Sequence, residues 1–490
     1  FKQKTAYEIR NCDWSSDVCS SDLLYGGLDE SVVALIAPAA ALADLFAGGG
    51  TAYADAFAAY AQARRDSRNQ LDVEMDMASL LVEWDLGFAT LVSGTSALDH
   101  KLPWNLAYAG GLADTPSEYD TSAFNQELRL VSPSDGNLKW IAGVFYSDAS
   151  IDTDTVTTVP DLGPILGPLT GLTGNIQSSG RIKTEAYSAF GEISLLMLDG
   201  MLEPTIGLRY YSDDREATNR LTGQALDRGT SATSPRIGLK INVSDEGMVY
   251  LNAAKGFRTG AVQGVDQVAA AAVLGVDTDV LLGEDSLWSY EVGTKWSLLD
   301  GALVLDGAIY FTKWDQVQTQ FGTASGIAIV NAGDAEIRGI DLGFVWVTGL
   351  EGLSFQGTAN FNHSEWTDTD PAVTASLPAV EDGETLANSP ERSFNLSADY
   401  RQGVGGGWDL YVRGTYAYLS EQTEITTGNE TDDMNNVSLR AGLASDHWDV
   451  SVFGENLLDE DTPIALTNYT EAPQQRLYPR VFGLSARYQY

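Results

Sequence analysis

Residues 353–362, LSFQGTANFN, place Leu353, Phe355, Gly357, Ala359 and Phe361 on one parity and Ser354, Gln356, Thr358, Asn360 and Asn362 on the other. Successive side chains of an extended chain point to opposite sides. The stretch therefore reads as a strand with one apolar face and one face of amides and hydroxyls. The pattern returns in Trp288, Tyr290, Val292 and Trp296 against Ser289, Glu291, Gly293 and Lys295. It returns again in Phe394, Leu396, Ala398 and Tyr400, in Val437, Leu439, Ala441 and Leu443, and in the last residues, Phe482, Leu484, Ala486, Tyr488 and Tyr490. From Met77 onward about seventeen strands are expected, by alternation and turn signals.

A soluble sandwich also alternates, so the connections decide the solvent. Short turns carrying Gly, Asp or Ser fall at 85–87, 132–137, 198–200, 244–247, 298–301, 348–352, 402–407 and 445–446. Between them lie long polar connections at 99–120, 151–182, 214–230, 258–285, 321–333, 367–388, 423–434 and 457–479. Alternating short and long connections are the mark of an outer-membrane barrel, with short periplasmic turns and long extracellular loops. Trp84, Trp140, Trp296, Trp346, Tyr400, Trp408, Trp448 and Tyr490 all fall near a short turn or the C-terminus. Trp and Tyr favour the membrane–water boundary, so these residues predict one interfacial ring on the periplasmic side. The expected class is all-β, a transmembrane antiparallel β-barrel over residues 77–490 of an integral protein of the bacterial outer membrane.

The N-terminal part reads differently. Residues 2–23, KQKTAYEIRNCDWSSDVCSSDL, hold both cysteines, Cys12 and Cys19, and follow neither regular period. They resemble translated sequencing-adapter read-through, and residues 1–22 are set aside from fold reasoning as a tag would be. Residues 23–76 are expected to form an extracellular excursion with helical content, since Tyr53, Phe57 and Tyr60 recur at helical spacing on an Ala-rich background. Residues 32–46 are apolar, but Asp29 and Glu30 precede them and Pro38 interrupts them, so they do not read as a secretory signal. The true N-terminus is expected to lie upstream.

The formal net charge of −39 argues against a nucleic-acid partner, because a phosphate backbone is held by clustered Lys and Arg. Acidic runs at 152–154, 368–370 and 430–433 lack the spaced ligands of a calcium loop and read as solvated loops. The three histidines, His100, His363 and His447, have no Cys or His partners at metal-ligand spacing. No cofactor, metal or catalytic constellation is expected, and an enzyme is not the reading. Three residues near the mouth are candidates for ligand contact. Arg258 opens a long loop and suits an anionic group, and His363 and Trp366 end an upward strand. A structural or rim role is the alternative for each.

Taken in order, residues 250–264 (YLNAAKGFRTGAVQG), 289–296 (SYEVGTKW), 331–343 (NAGDAEIRGIDLG), 456–460 (NLLDE) and 479–490 (PRVFGLSARYQY) resemble TonB-dependent receptors. The resemblance covers nearly all of residues 75–490. It implies a barrel of about 22 strands, an internal plug and a TonB-contacting segment. About five strands, the plug and the export signal are then expected beyond this chain. It further implies import of a scarce extracellular ligand, such as a siderophore–iron complex. TonB, reached through the missing N-terminal segment, would drive import. Other implied partners are outer-membrane lipid and the outer-membrane assembly machinery, for which Tyr490 resembles the C-terminal signature. Arg209, Lys295, Arg440 and Arg487 take inward positions, open either to plug carboxylates or to neighbouring strands. The alternative function is a passive porin-like channel of about 18 strands.

Overall fold

The computed structural model describes residues 73–489 except 109–112, 160–173, 324–325, 427 and 466–474. The artefactual-looking segment 1–22, the helical excursion with Tyr53, Phe57 and Tyr60, and Tyr490 lie outside the described residues. In chain order the strands are β1 (Glu74–Asp85), β2 (Thr90–Tyr108), β3 (Ala113–Val131), β4 (Leu138–Val159), β5 (Gly174–Leu195), β6 (Leu202–Asn219) and β7 (Gln224–Ser244). Next come β8 (Gly247–Arg258), β9 (Asp285–Leu298), β10 (Leu303–Asp315), β11 (Gln318–Thr323), β12 (Gly326–Asn331), β13 (Gly333–Val347) and β14 (Leu353–Thr369). The chain continues through β15 (Arg392–Gly405), β16 (Trp408–Leu419), β17 (Met434–Ala444), β18 (Trp448–Glu455), β19 (Pro463–Ala465), β20 (Gln475–Arg476) and β21 (Val481–Tyr488). Among the described residues, two helices interrupt the loops, α1 (Val265–Val273) and α2 (Pro371–Thr374).

Among the described residues, 17 strands join in one sheet, while β11–β12 and β19–β20 form small separate hairpins. From β6 to β21 every main strand pairs antiparallel with the next main strand. This meander needs tight reversals at one end. Leu198-Asp199-Gly200 and Leu299-Asp300-Gly301 make two of them with the same signature, all six residues taking positive φ. Gly tolerates that region without a Cβ penalty and Asp does so better than most residues, which is why the Leu-Asp-Gly triplet recurs at both turns.

The chain divides into two compact units. One comprises residues 1–75, 100–120 and 152–180, where the described parts are residues 73–75, at the start of β1, and end segments of β2 to β5. There Thr155 Oγ1 donates to Ser117 Oγ at 3.1 Å and Ser179 Oγ to Asp154 Oδ1 at 2.5 Å. The other unit, residues 76–99, 121–151 and 181–490, carries the rest of the sheet and the features described below.

Three of the expected long loops are mostly strand. Connections 99–120, 151–182 and 214–230 hold the ends of β2 to β7, and β6 and β7 pair residue for residue up to Asn219 and Gln224. Their polar composition hid them, because water wets both faces beyond a membrane and alternation is no longer required there. Connection 321–333 likewise contains part of the β11–β12 hairpin, and β15 runs to Gly405 within the turn expected at 402–407.

Within the membrane-length part of the strands the two parities separate cleanly. Register rows join Ile206 to Ile237, Leu239 to Leu251, Leu251 to Val292, Val292 to Ile309, Ile309 to Ile340 and Ile340 to Phe361. All but the half-buried Leu239 are exposed, with Ile237 at 62% and Ile309 at 56% exposure. Leu396, Leu439, Val452 and Leu484 continue the exposed apolar belt across β15 to β21. A contiguous apolar surface of that extent is not left to water.

Candidate functional site

The opposite parity is polar and ion-paired. Arg236 donates to Asn252 Oδ1 at 3.0 Å and pairs with Glu192 at 3.0 Å, while Lys240 meets Glu203 at 3.3 Å. Arg413 pairs with Asp399 at 2.5 Å, and the Tyr411 hydroxyl donates to Asp449 at 2.8 Å. On β10, β13 and β14 the ion pairs give way to a ladder of amides and a phenol around the Asp341 carboxylate. Asn360 Nδ2 donates to Asp341 at 2.7 Å and to the Tyr310 hydroxyl at 3.2 Å, and that hydroxyl donates to Asn362 Oδ1 at 3.2 Å. The ladder reaches the loops through Ser389, whose Oγ accepts from Asn362 Nδ2 and from Ser364 Oγ, each at 2.8 Å.

At the long-loop end this polar face is roofed. The connections after β8, β10, β14 and β16 pack one apolar cluster that includes Val276, Phe321, Val330, Val373, Leu377, Val380 and Ile425. Trp314, Ala335, Ile337 and Trp366, all on the polar-face parity of their strands, belong to the same cluster. The loops therefore fold inward onto the sheet. Phe321 is 0% exposed, an unusual burial for a loop hairpin.

Hydrogen bonds fix the roof in place. Gln263, buried between two loops, donates through Nε2 to Thr278 Oγ1 and to the carbonyls of Asp279 and Ile329, and accepts from the Ile329 N–H at 2.9 Å. Gln267 on α1 donates to the Ile327 carbonyl at 2.6 Å. Asn331 reaches the carbonyls of Gly283 and Gln316. Two buried aspartates anchor the loop ends. Asp213 accepts from the Thr230 N–H and from Arg215, whose guanidinium also binds Thr259 and the Gly260 carbonyl. Asp285 holds Arg258 in a two-pronged pair and accepts from the Gln318 N–H at 3.1 Å.

The three candidate ligand residues are thus placed separately. Arg258 lies against Asp285, donates to the Gln318 carbonyl and stands 4.8 Å over the Trp314 ring. Trp366 is 2% exposed inside the roof. His363 is partly exposed on the apolar-belt parity, with Nε2 3.4 Å from Glu365 and Nδ1 3.9 Å from Glu391. Arg209, Lys295, Arg440 and Arg487 all share the polar-face parity, Arg440 lying 4.8 Å over the Phe453 ring.

The described aromatics of the expected ring sit at the short-turn ends of their strands. Trp84 is one residue from the end of β1 and Trp346 one from the end of β13, while Trp408 and Trp448 open β16 and β18. Trp140 and Trp296 lie two residues inside β4 and β9, and Tyr400 pairs with Leu353 at the start of β14. Trp346 touches Phe355 at 6.0 Å and Trp448 touches Tyr488 at 4.9 Å. A second aromatic row at the long-loop end was missed in the sequence. It consists of Trp288, Tyr290 and Phe311, stacked at 6.0 and 6.4 Å, and of Phe361, Phe394 and Tyr418 at 5.5 and 5.4 Å. The signal was present, since each sits on the apolar parity close to a long connection. On β16 the ten steps from Trp408 to Tyr418 span about 34 Å along the strand, or about 26 Å across a membrane at the usual barrel tilt.

Between β18 and β21, Asp459 accepts from the Arg480 N–H and pairs with its guanidinium at 2.8 Å, which holds its carboxyl below the usual aspartate range. Burial works to raise the neighbouring Glu460. Hydrogen bonds from Thr462 and from the Asn435 N–H outweigh it and leave the carboxyl below its ordinary value. Among the described residues, no group of three or more His, Cys, Asp or Glu side chains stands together to hold a metal ion.

Comparison with known proteins joins these features. The chain is similar to the ferric yersiniabactin uptake receptor FyuA from Yersinia pestis, with 15% identity and a TM-score of 0.70 over 86% of this chain and 62% of that one. It is similar to the siderophore receptor PiuA from Acinetobacter baumannii, with 15% identity and a TM-score of 0.66 over 86% of this chain and 65% of that one. The copper transporter OprC shares 12% identity at a TM-score of 0.63, over 86% of this chain and 66% of that one. The chain spans less than two thirds of the length of each, and at these identities the likeness carries the fold alone. The family model described as TonB dependent receptor-like, beta-barrel matches residues 34–457. Its members are integral outer-membrane receptors and not enzymes, which accounts for the exposed apolar belt. By this match the chain belongs to the TonB-dependent receptor-like β-barrel family.

Proposed function

We propose that this chain forms the wall and loop roof of a TonB-dependent outer-membrane receptor that imports a scarce extracellular ligand, with ferric siderophores as the ligand class. The observation that carries the reading is the roof itself. Loops that fold inward as one apolar, hydrogen-bonded body offer a preformed binding surface above a polar face, whereas a passive pore gains nothing from covering its mouth. The likeness to FyuA and PiuA favours a siderophore, and that to OprC keeps copper as the next ligand to try. In this reading Arg258 and Trp366 hold the roof, Tyr310, Asn360 and Asn362 face the ligand below it, and His363 is a rim residue on the other parity. TonB engages a segment N-terminal to the sheet, and the assembly machinery recognises the C-terminal aromatic.

The test is iron uptake in the source bacterium. Radiolabelled iron on a panel of siderophores is offered to cells with the gene intact, deleted or restored, with and without TonB. Uptake of one chelate that is lost on deletion and on removal of TonB is the expected result. Diffusion of small solutes through the protein, unaffected by TonB, would establish the porin alternative instead.

A further inference from the structure

On the polar parity of the β6–β7 hairpin, two cations stand directly opposite each other. Arg215 and Arg228 are register partners, in the row next to Asp213 and Thr230 on the same face. Like charges directly opposite across an antiparallel pair are destabilising, so the row calls for a counter-charge. Protein carboxylates meet that need only in part. Asp213 pairs with Arg215 at 3.1 Å, but this buried carboxylate also accepts from the Thr230 N–H at 3.1 Å and the Tyr211 hydroxyl at 3.3 Å. Glu284 comes only to 3.7 Å from Arg228, and a partly exposed pair of that length is worth little.

The connection that follows β8 closes over this row. Arg215 donates to Thr259 Oγ1 at 2.8 Å and to the Gly260 carbonyl, while Arg228 donates to the Leu281 carbonyl at 2.8 Å. Val262 and Leu281 form a bridge, so both ends of the connection are tied together as well as to the hairpin. Enclosed there is a cavity of about 10 Å³, lined by both guanidinium groups and by Thr230, Gly260, Val262 and Leu281. Arg215 Nε is buried and has no acceptor among the described residues. A buried donor of a charged group is costly to leave unpaired.

We infer that this cavity is a halide site, in which a chloride ion is shared by Arg215 and Arg228 and fastens the connection after β8 to the β6–β7 hairpin. The volume admits one small species, which excludes phosphate and the carboxylate of an imported ligand. The lining separates an anion from a water molecule. Its Gly260 and Leu281 carbonyls already accept from the same two arginines, so the cavity presents mainly donors, and chloride accepts without needing to donate. The ion also screens the repulsion between the facing guanidinium groups, which a neutral water does not. The site lies beneath the loops on the polar side of the sheet, and its occupancy is independent of which ligand the receptor imports.

Two measurements on the full-length protein test the site: diffraction from crystals grown in bromide, and hydrogen exchange in chloride against gluconate at one ionic strength. An anomalous bromide peak between the two guanidinium groups is expected, together with exchange in residues 259–283 that is several-fold slower in chloride. Arg228→Gln is expected to lose both effects while the Arg215–Asp213 pair stays in place, and its folding is confirmed first by the heat-dependent shift on a gel. Water alone at that position, or a chloride effect that persists in Arg228→Gln, would overturn the inference. A bromide peak without any chloride effect on exchange would mark an adventitious ion only and would overturn it equally.

Discussion

Gly293 faces Tyr250 across β8 and β9, and a Cβ on that glycine would stand inside the tyrosine ring. The same arrangement joins Gly339 to Tyr310, Gly442 to Tyr411 and Gly483 to Phe453, each a direct register pair on the polar parity. The glycine is required there by close approach, since the ring occupies the volume of its missing side chain. Gly293→Val is expected to cost about 1–3 kcal/mol by overpacking, read as a lower temperature for the folded-to-unfolded gel shift, while Tyr250→Leu in the same background recovers part of the loss. A second prediction concerns protons. Arg480 lowers the Asp459 pKa, so the contribution of the pair is fully present above the ordinary aspartate range and is lost as pH falls from there through the lowered value. In Arg480→Gln the Asp459 carboxyl is expected to titrate at a higher pH, seen in its carboxyl carbon shift. An unchanged midpoint would remove the pair from the account.

The strands show what is and is not legible in a sequence. Where β8 to β16 cross the belt, hydrocarbon on one side and polar groups on the other impose period two, and residues 353–362 announce it. A side chain on the wrong parity is correspondingly costly. Ile309→Arg is expected to cost about 2–4 kcal/mol and to lower the amount assembled in the membrane. Arg at the adjacent Ala308, which shares the parity of Asp341 across the register, is expected to be tolerated. Immunoblotting of outer-membrane fractions separates the two. Past the belt the constraint vanishes, and the strand ends at 99–120, 151–182 and 214–230 were hidden by a composition that reads as loop. The candidate site was less legible still. Arg258 and Trp366 stood out as a lone cation and a lone aromatic, but their partners, Asp285 and the roof cluster, come from segments far along the chain, and no local pattern reports such pairings. The short turns were easier, because Leu-Asp-Gly carries its own backbone preference.

At the scale of the molecule, the roof and the belt are different kinds of solid. The belt is held by sheet hydrogen bonds and by the membrane. The roof is held by its own apolar cluster, as a small soluble core would be. Phe321→Ala is therefore expected to cost the roof about 3–5 kcal/mol and to raise hydrogen exchange together in residues 259–283, 316–333 and 371–391, leaving β8 to β16 protected. Exchange that rises only near Phe321 would mean the loops are independent. The ring-and-glycine pairs reach beyond stability at this scale. Tyr250, Tyr310, Tyr411 and Phe453 all lean toward the strand that follows their own, so that four bulky rings lie shingled in one direction across the polar face. A shingled ring takes almost no headroom, whereas an upright one would stand several ångströms into whatever moves past. The glycines thus set the clearance in front of the wall.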